Sequence, residues 1–239
     1  MPGKFENKRV VIAGGSTGIG FATAALLVAA GASVTVTGRS TEKLQEAKAA
    51  IPSLSTVVLD SNNRQELDQF FASHGTIDHL VLALSGGKGA GPFATLSLEE
   101  LRTGFEGKFW PQLNTLQSAI PYVDKSGSIT LITAASAAMH APGVAGLAAI
   151  NGSLELMIPS IAKELQPLRL NAVSPGVVDT PWWDAMTPAD KAAAFTHFAA
   201  QTLTGRIAQP EELADAILFL IGNRNVTGTV IRCDGGISL

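Results

Sequence analysis

The chain has 239 residues, a length that fits one large α/β domain or at most two domains. Apolar residues make up 46% of it and charged residues only 15%, which excludes a disordered protein and predicts a large core. Lysine and arginine number 17 against 20 for aspartate and glutamate, and the net charge of -3 argues against a nucleic-acid partner.

The amino-terminal residues lack the apolar core of a signal peptide, and no apolar run approaches the roughly 20 residues that span a bilayer. We therefore expect a cytoplasmic protein with no membrane segment. The single cysteine, Cys233, cannot form a disulfide within the chain. We also predict no metal site.

Short β-branched runs alternate with longer helical patterns, as is typical of βαβ units around a parallel sheet. The predicted strands are residues 10–13, 33–37, 56–59, 79–84, 128–133, 169–173 and 229–233. The predicted helices are residues 18–30, 41–50 with Thr41 as N-cap, 63–73, 98–122, 144–165 and 211–221. The pattern predicts a single α/β domain of Rossmann type, with a doubly wound parallel sheet of about seven strands and helices on both faces.

Residues 181–204 interrupt this alternation with a segment rich in proline, alanine and aromatic side chains, including Trp182 and Trp183. An apolar insertion near the carboxyl ends of parallel strands predicts a substrate lid. The alternative is an oligomer contact.

Gly14, Gly18 and Gly20 lie directly between the first strand and the first helix, in the spacing G-x-x-x-G-x-G. Missing side chains let the backbone approach a pyrophosphate, and the free N–H groups at a helix N-terminus favour its negative charge. The strand-turn-helix context therefore predicts a nucleotide site.

The second strand ends at Gly38, followed by Arg39 and Ser40, with no acidic side chain to bind a ribose or repel a 2′-phosphate. Arg39 and Ser40 can bind that phosphate, which favours NADP(H) over NAD(H). The alternative for Arg39 is a solvated surface charge.

The third strand is followed by Asp60, which can accept from an adenine amino group or cap the helix predicted near Asn63. The fourth strand leads into the turn 85–87, which contains two glycines. Because the first and fourth strands are neighbours in such a sheet, their two glycine turns predict one crevice.

Taken together, these segments resemble the short-chain dehydrogenase/reductase family over nearly the whole chain. The glycine loop is similar to the family's T-G-x-x-x-G-x-G, with Ala13 in place of Thr, and segments 171–180 and 205–236 are similar to the family's later motifs. The resemblance implies that Pro175 and Gly176 shape the nicotinamide pocket, while Val178 and Thr180 contact the cofactor. The predicted cofactor-binding residues are Gly14, Ser16, Thr17, Gly18, Ile19, Gly20, Arg39, Ser40, Asp60, Ser61, Ser85, Gly86, Gly87, Pro175, Gly176, Val178 and Thr180.

The predicted active site departs from the family pattern. The family's catalytic serine, tyrosine and lysine fall on Ala134, Leu147 and Asn151, and the only tyrosine, Tyr122, lies at the end of the preceding helix. The family's asparagine falls near Lys108. Lysine and asparagine have therefore exchanged positions in this alignment.

Lys108 is the first candidate for the proton donor, because burial would lower its pKa toward neutrality. A surface or ion-paired lysine is the alternative. His140, in a loop expected to border the cleft, and Asn151 are the other catalytic candidates. An inert loop histidine is the alternative for His140. Ser136 would orient a carbonyl if its loop were displaced by two residues, although a hydroxyl that satisfies local backbone is the better explanation.

The combined features predict a divergent, NADP(H)-dependent oxidoreductase acting on a small-molecule substrate, either a carbonyl or alcohol or an activated alkene. The alternatives are a NADP(H)-binding sensor without activity, or a non-redox cyclase or lyase on the same fold. The apolar helices 98–122 and 144–165 predict a homotetramer or homodimer, which the family resemblance also implies.

Overall fold

The computed structural model describes residues 3–239, and within them seven parallel strands form one sheet. The strands are β1 (Arg9–Ala13), β2 (Ser33–Gly38), β3 (Ser55–Val58), β4 (Ile77–Leu82), β5 (Val123–Ile132), β6 (Arg169–Pro175) and β7 (Val230–Cys233). Their spatial order is β3-β2-β1-β4-β5-β6-β7. The order reverses between β1 and β4, and ligands of open α/β sheets bind at such a switch point.

Seven α-helices lie in the same part of the chain. They are α1 (Gly18–Ala29), α2 (Thr41–Ala50), α3 (Arg64–His74), α4 (Leu98–Ala119), α5 (Ala145–Leu165), α6 (Pro188–Ala199) and α7 (Pro210–Gly222). Six of them, all but α6, pack on the two faces of the sheet or on one another, and the predicted Rossmann-type single domain is confirmed. The same six match predicted helices. The seventh, α6, lies in the segment 181–204, for which the alternation of strands and helices predicted no element.

Successive residues of the central strands point to opposite faces of the sheet. Val11 and Leu80 belong to the core cluster under α3, α4 and α5, whereas Val10, Ile12 and Val81 belong to the cluster under α1, α2 and α7. Burial on both faces explains why these strands are continuous apolar runs.

Two helix caps differ from those predicted. Ser40, not Thr41, caps α2, because its hydroxyl accepts from the backbone N–H of Lys43 at 3.2 Å. Asn63 caps α3. The capping role considered for Asp60 is therefore wrong, and its carboxylate instead accepts from the N–H of Asn62 at 3.0 Å.

α5 is long and apolar enough to cross a membrane by length and composition, contrary to the prediction that no apolar run approaches that length. Leu154 and Ile158 bury its inner face in the core cluster on one side of the sheet. A core helix of this kind meets the same criterion, so a single such helix is weak evidence for a membrane span.

His79 is a buried titratable group at the amino-terminal edge of the sheet. Its Nδ1 lies 2.9 Å from the Ser128 hydroxyl, and its ring meets the edge of Phe5. Burial lowers the pKa of His79 to about 4, although the Asp78 carboxylate acts in the opposite direction. The folded protein therefore keeps this imidazole neutral.

Below about pH 6.5, the ordinary pKa of a histidine, His79 binds a proton more readily in the unfolded chain than in the folded one. The free energy of unfolding should therefore fall by roughly 2 kcal/mol between pH 7 and pH 5 through this group alone. His79→Gln should remove that part of the pH dependence in urea denaturation, whereas His197→Gln, at an exposed histidine of α6, should leave it intact. Equal pH slopes for the unmutated protein and His79→Gln would contradict the assignment.

Candidate active site

The glycine loop between β1 and α1 makes backbone contacts that leave no room for side chains. Gly14 has a φ of 79°, and a Cβ there would lie 2.6 Å from the carbonyl oxygen of Ala83, just beyond β4. A Cβ on Gly20 would overlap the carbonyl oxygen of Gly14. The loop is thus held against the neighbouring strand at the switch point.

The N-terminus of α1 is open toward this loop. Thr17, its N-cap residue, makes no side-chain capping bond within residues 3–239, and the first turn carries no acidic side chain. In contrast, the side chains of Ser40, Asn63 and Ser97 cap α2, α3 and α4. The free N–H groups and the helix dipole at the start of α1 therefore favour an anion.

All the predicted cofactor residues end or follow strands at the carboxyl edge of the sheet. Residues 14–20 follow β1, residues 39–40 follow β2, residues 60–61 follow β3, residues 85–87 follow β4 and residues 175–180 complete and follow β6. Contacts link several of these segments. A Cβ on Gly38 would lie 3.4 Å from Ser16 Oγ, and one on Gly18 would lie 3.2 Å from Thr180 Cγ2.

Arg39 is exposed beside this edge, and its guanidinium makes no hydrogen bond or ion pair to residues 3–239. The hydroxyl oxygen of Ser40 accepts the capping bond of α2, which leaves its proton free to donate. Ser61 is buried and its carbonyl accepts from Asn114 at 3.3 Å.

The segment after β6 lies over the turn that follows β4. A Cβ on Gly87 would be 3.7 Å from the indole nitrogen of Trp182, which is 52% exposed. Trp183 donates to the carbonyl of Val178 at 3.0 Å and packs edge-on against Phe195 of α6. The aromatic side chains of the insertion therefore join α6 to the carboxyl edge of the sheet.

Lys108 is a buried cation at this edge, so the alternative of a surface lysine is wrong. Its ammonium donates to the carbonyl of Thr133, just beyond β5, at 2.8 Å. A Cβ on Gly86 would lie 3.1 Å from the backbone of Gly107, so the turn after β4 packs on the residue preceding Lys108. Burial lowers the pKa of Lys108 to about 8, against the opposing effect of the Glu155 carboxylate.

Glu155 is a residue that the sequence analysis missed. Its Oε1 accepts from the hydroxyls of Thr133 and Ser174, each at 2.7 Å. It lies four residues, or one helical turn, after Asn151 on α5, so the two side chains share a helix face. An acidic residue at this spacing from a candidate site residue is the sequence signal that could have identified Glu155.

Asn151 is buried at 3% exposure. Its amide donates to Ser136 Oγ at 3.1 Å and to the Leu147 carbonyl at 3.0 Å, while its Oδ1 has no partner among residues 3–239. Ser136 is also buried, in a short 3-10 turn. The structure thus brings Asn151 and Ser136 together beyond the end of β5.

Two other residues lie apart from this cluster. His140 is exposed in the loop before α5 and makes no hydrogen bond within the described residues. Tyr122 immediately precedes β5, at the opposite edge of the sheet, and stacks on Phe71. Because the chain has one tyrosine, no tyrosine lies at the carboxyl edge.

The family model described as enoyl-(acyl carrier protein) reductase matches residues 13–238. The chain belongs to the short-chain dehydrogenase/reductase family. It is 31% identical over 254 residues to the short-chain dehydrogenase/reductase ATR9 of Stachybotrys chlorohalonatus, with 98% of each chain covered. It is 30% identical over 253 residues to the 3-oxoacyl-(acyl-carrier-protein) reductase FabG of Thermotoga maritima, with 98% of this chain and 99% of the relative covered.

Solved structures of short-chain dehydrogenase/reductases share the fold. A small-chain dehydrogenase in complex with NADPH superimposes with a TM-score of 0.85 at 26% identity, covering 98% of this chain and 99% of that one. The MalC reductase/Diels-Alderase of Malbranchea aurantiaca gives a TM-score of 0.88 at 28% identity, covering 98% of both chains. The family and these neighbours support an oxidoreductase with a nicotinamide cofactor.

The residues present fit a dinucleotide. The uncapped N-terminus of α1 offers N–H groups to the pyrophosphate, and the glycines of the loop keep its backbone free of side chains. The segments after β4 and β6 border the same crevice from the other side.

Gly20→Ala tests this fit, because the added methyl group would overlap the Gly14 carbonyl and displace the loop. We expect a loss of about 1–3 kcal/mol in the free energy of unfolding and at least a tenfold weaker NADPH affinity. Urea denaturation and quenching of tryptophan fluorescence measure the two effects. The matched control is Gly152→Ala on α5, where the added Cβ meets no atom of residues 3–239 within 4 Å outside the adjacent part of its own helix, and its NADPH affinity should change less than a few fold. Unchanged NADPH affinity in Gly20→Ala would contradict the loop's role.

Proposed function

We propose that this protein is an NADP(H)-dependent oxidoreductase that transfers hydride to or from a small carbonyl or alcohol, or an activated alkene. The observation that carries the proposal is a buried ammonium, Lys108, at the carboxyl edge of a sheet whose glycine loop fits a dinucleotide. When bound, the nicotinamide supplies or accepts the hydride. Arg39 is exposed and has no ion-pair partner among residues 3–239, and no acidic residue directly follows β2, which supports NADP(H) over NAD(H).

Lys108 is the proposed proton donor. With a pKa of about 8 it is mostly protonated at pH 7 yet close enough to neutrality to exchange a proton during turnover. The Thr133 carbonyl engages one of its three protons and fixes its direction. His140 is the weaker candidate, because it is exposed and unsupported by any hydrogen bond within residues 3–239.

A non-redox reaction, such as a cyclisation, is the second candidate. One specific observation favours it: MalC, described as a reductase/Diels-Alderase, shares this fold at a TM-score of 0.88. The remoteness of the single tyrosine, Tyr122, from the carboxyl edge is consistent with either chemistry. A third candidate function that fits the same residues is an NADP(H)-binding sensor without turnover.

We also propose that residues 181–204 form the substrate lid and that copies of the chain associate through α4 and α5. The position of Trp182 over Gly87 supports the lid. Leu156 on α5 is 82% exposed and Trp110 on α4 is 46% exposed, which supports a homodimer or homotetramer. The cytoplasmic location stays a prediction from the sequence.

Arg39→Ala should weaken NADPH binding by roughly 1.5–3 kcal/mol, the contribution of a hydrogen bond to a charged group, and leave NADH binding nearly unchanged. Fluorescence titration with each cofactor measures this difference. Arg102→Ala, at an exposed arginine of α4, is the matched control and should change neither affinity. If the unmutated protein binds NADPH and NADH equally well, the assignment of NADP(H) is wrong.

Lys108→Met should lower turnover by on the order of 10²-fold, the usual effect of a lost general acid, while NADPH affinity stays within a few fold. His140→Ala should have a smaller effect. The measurement first needs a substrate, found by following NADPH consumption across a panel of ketones, quinones and enones. Full activity in both variants would point to a water-mediated proton, and NADPH binding with no turnover across the panel would favour the non-redox alternative.

A further inference from the structure

Thr133 connects a buried cation to a carboxylate. Its carbonyl oxygen accepts from the ammonium of Lys108 at 2.8 Å, and its hydroxyl donates to Glu155 Oε1 at 2.7 Å. Its backbone N–H donates to the carbonyl of Val173 on β6 at 2.9 Å. One residue beyond β5 therefore fixes the positions of both charged groups relative to the sheet.

Ser174 on β6 donates a second hydroxyl to the same oxygen of Glu155, also at 2.7 Å. Thr133 and Ser174 are each 1% exposed, so water does not compete for these two bonds. Two short hydrogen bonds to one ionised oxygen hold a carboxylate firmly, because bonds to charged acceptors are about twice as strong as neutral ones.

We propose that Glu155 is a positioning residue for Lys108, held by Thr133 and Ser174 so that its negative charge stabilises the buried ammonium at the candidate active site. The inference rests on the proposed function, in which Lys108 donates the proton, and it names the group that keeps that proton in place. No direct ion pair joins the two side chains in the described part of the chain. Glu155 therefore acts through its field and through Thr133.

Burial strongly disfavours an ammonium that has no opposite charge nearby. The negative charge of Glu155 compensates the buried ammonium of Lys108. Burial lowers the pKa of Lys108 to about 8, and Glu155 is the charged group of residues 3–239 that opposes the fall. The hydrogen-bond partners of the two charged groups are neutral, namely the Thr133 carbonyl for Lys108 and the hydroxyls of Thr133 and Ser174 for Glu155. Without Glu155, the amine would lose its proton at a lower pH.

The test is an NMR titration of the protein labelled with carbon-13 at the lysine ε-carbons, with the Lys108 signal assigned by its loss in Lys108→Met. Glu155→Gln keeps an oxygen that can accept from the two hydroxyls but removes the charge. We expect the pKa of Lys108 to fall by about one unit or more. Glu164→Gln, an equal loss of charge at an exposed glutamate of the same helix, should leave the Lys108 titration unchanged.

Ser174→Ala provides a second variant if Glu155→Gln does not fold. It keeps the charge but removes one of the two hydrogen bonds that fix the carboxylate, so the pKa of Lys108 should move in the same direction by a smaller amount. A Lys108 pKa that stays at its original value in both variants would overturn the inference.

The titration needs no substrate, so its failure is distinct from a failure of the proposed function. If Glu155→Gln shifts the Lys108 pKa while Lys108→Met retains full turnover, Glu155 positions Lys108 but Lys108 is not the proton donor. Once a substrate is known, the limb of the pH–rate profile that reports Lys108 should move in Glu155→Gln by the same amount as the NMR titration.

Discussion

Parallel pairing across the sheet places the carboxyl ends of β1, β4, β5 and β6 along one edge. Every candidate functional group, from the glycine loop to Lys108, lies on a segment that reaches this edge or packs against it. The strands of a parallel sheet are connected by helices that lie on its two faces. In this chain the connecting helices α1, α4 and α5 all reach the same crevice. The arrangement of the site is therefore a consequence of strand direction.

Close backbone approach is the second constraint on the site. Gly14 lies against the backbone beyond β4, and the turn after β4 lies against Gly107 of α4. The N-terminus of α1, which follows Gly14, has no side-chain cap within residues 3–239, and Lys108, which follows Gly107, is buried. Close backbone packing therefore accompanies both the open helix end and the buried cation.

The buried ammonium of Lys108 sets the chemical character of the site. A lysine removed from water would be neutral unless a compensating charge were fixed nearby. Glu155 supplies that charge from α5, and the hydroxyls of Thr133 and Ser174 anchor it. Cation and carboxylate come from different helices, so the balance between them exists only in the folded chain.

The sequence by itself determined the order of strands and helices, the glycine loop and the family, because strand periodicity and the glycine spacing are local properties of the chain. It could not identify Glu155, which is distant in sequence from Thr133 and Lys108, and it left Lys108 open between a surface and a buried position. It also missed α6 and misplaced the caps at Thr41 and Asp60. Tertiary structure decided these points, since burial and hydrogen-bond partners depend on which segments the sheet brings together.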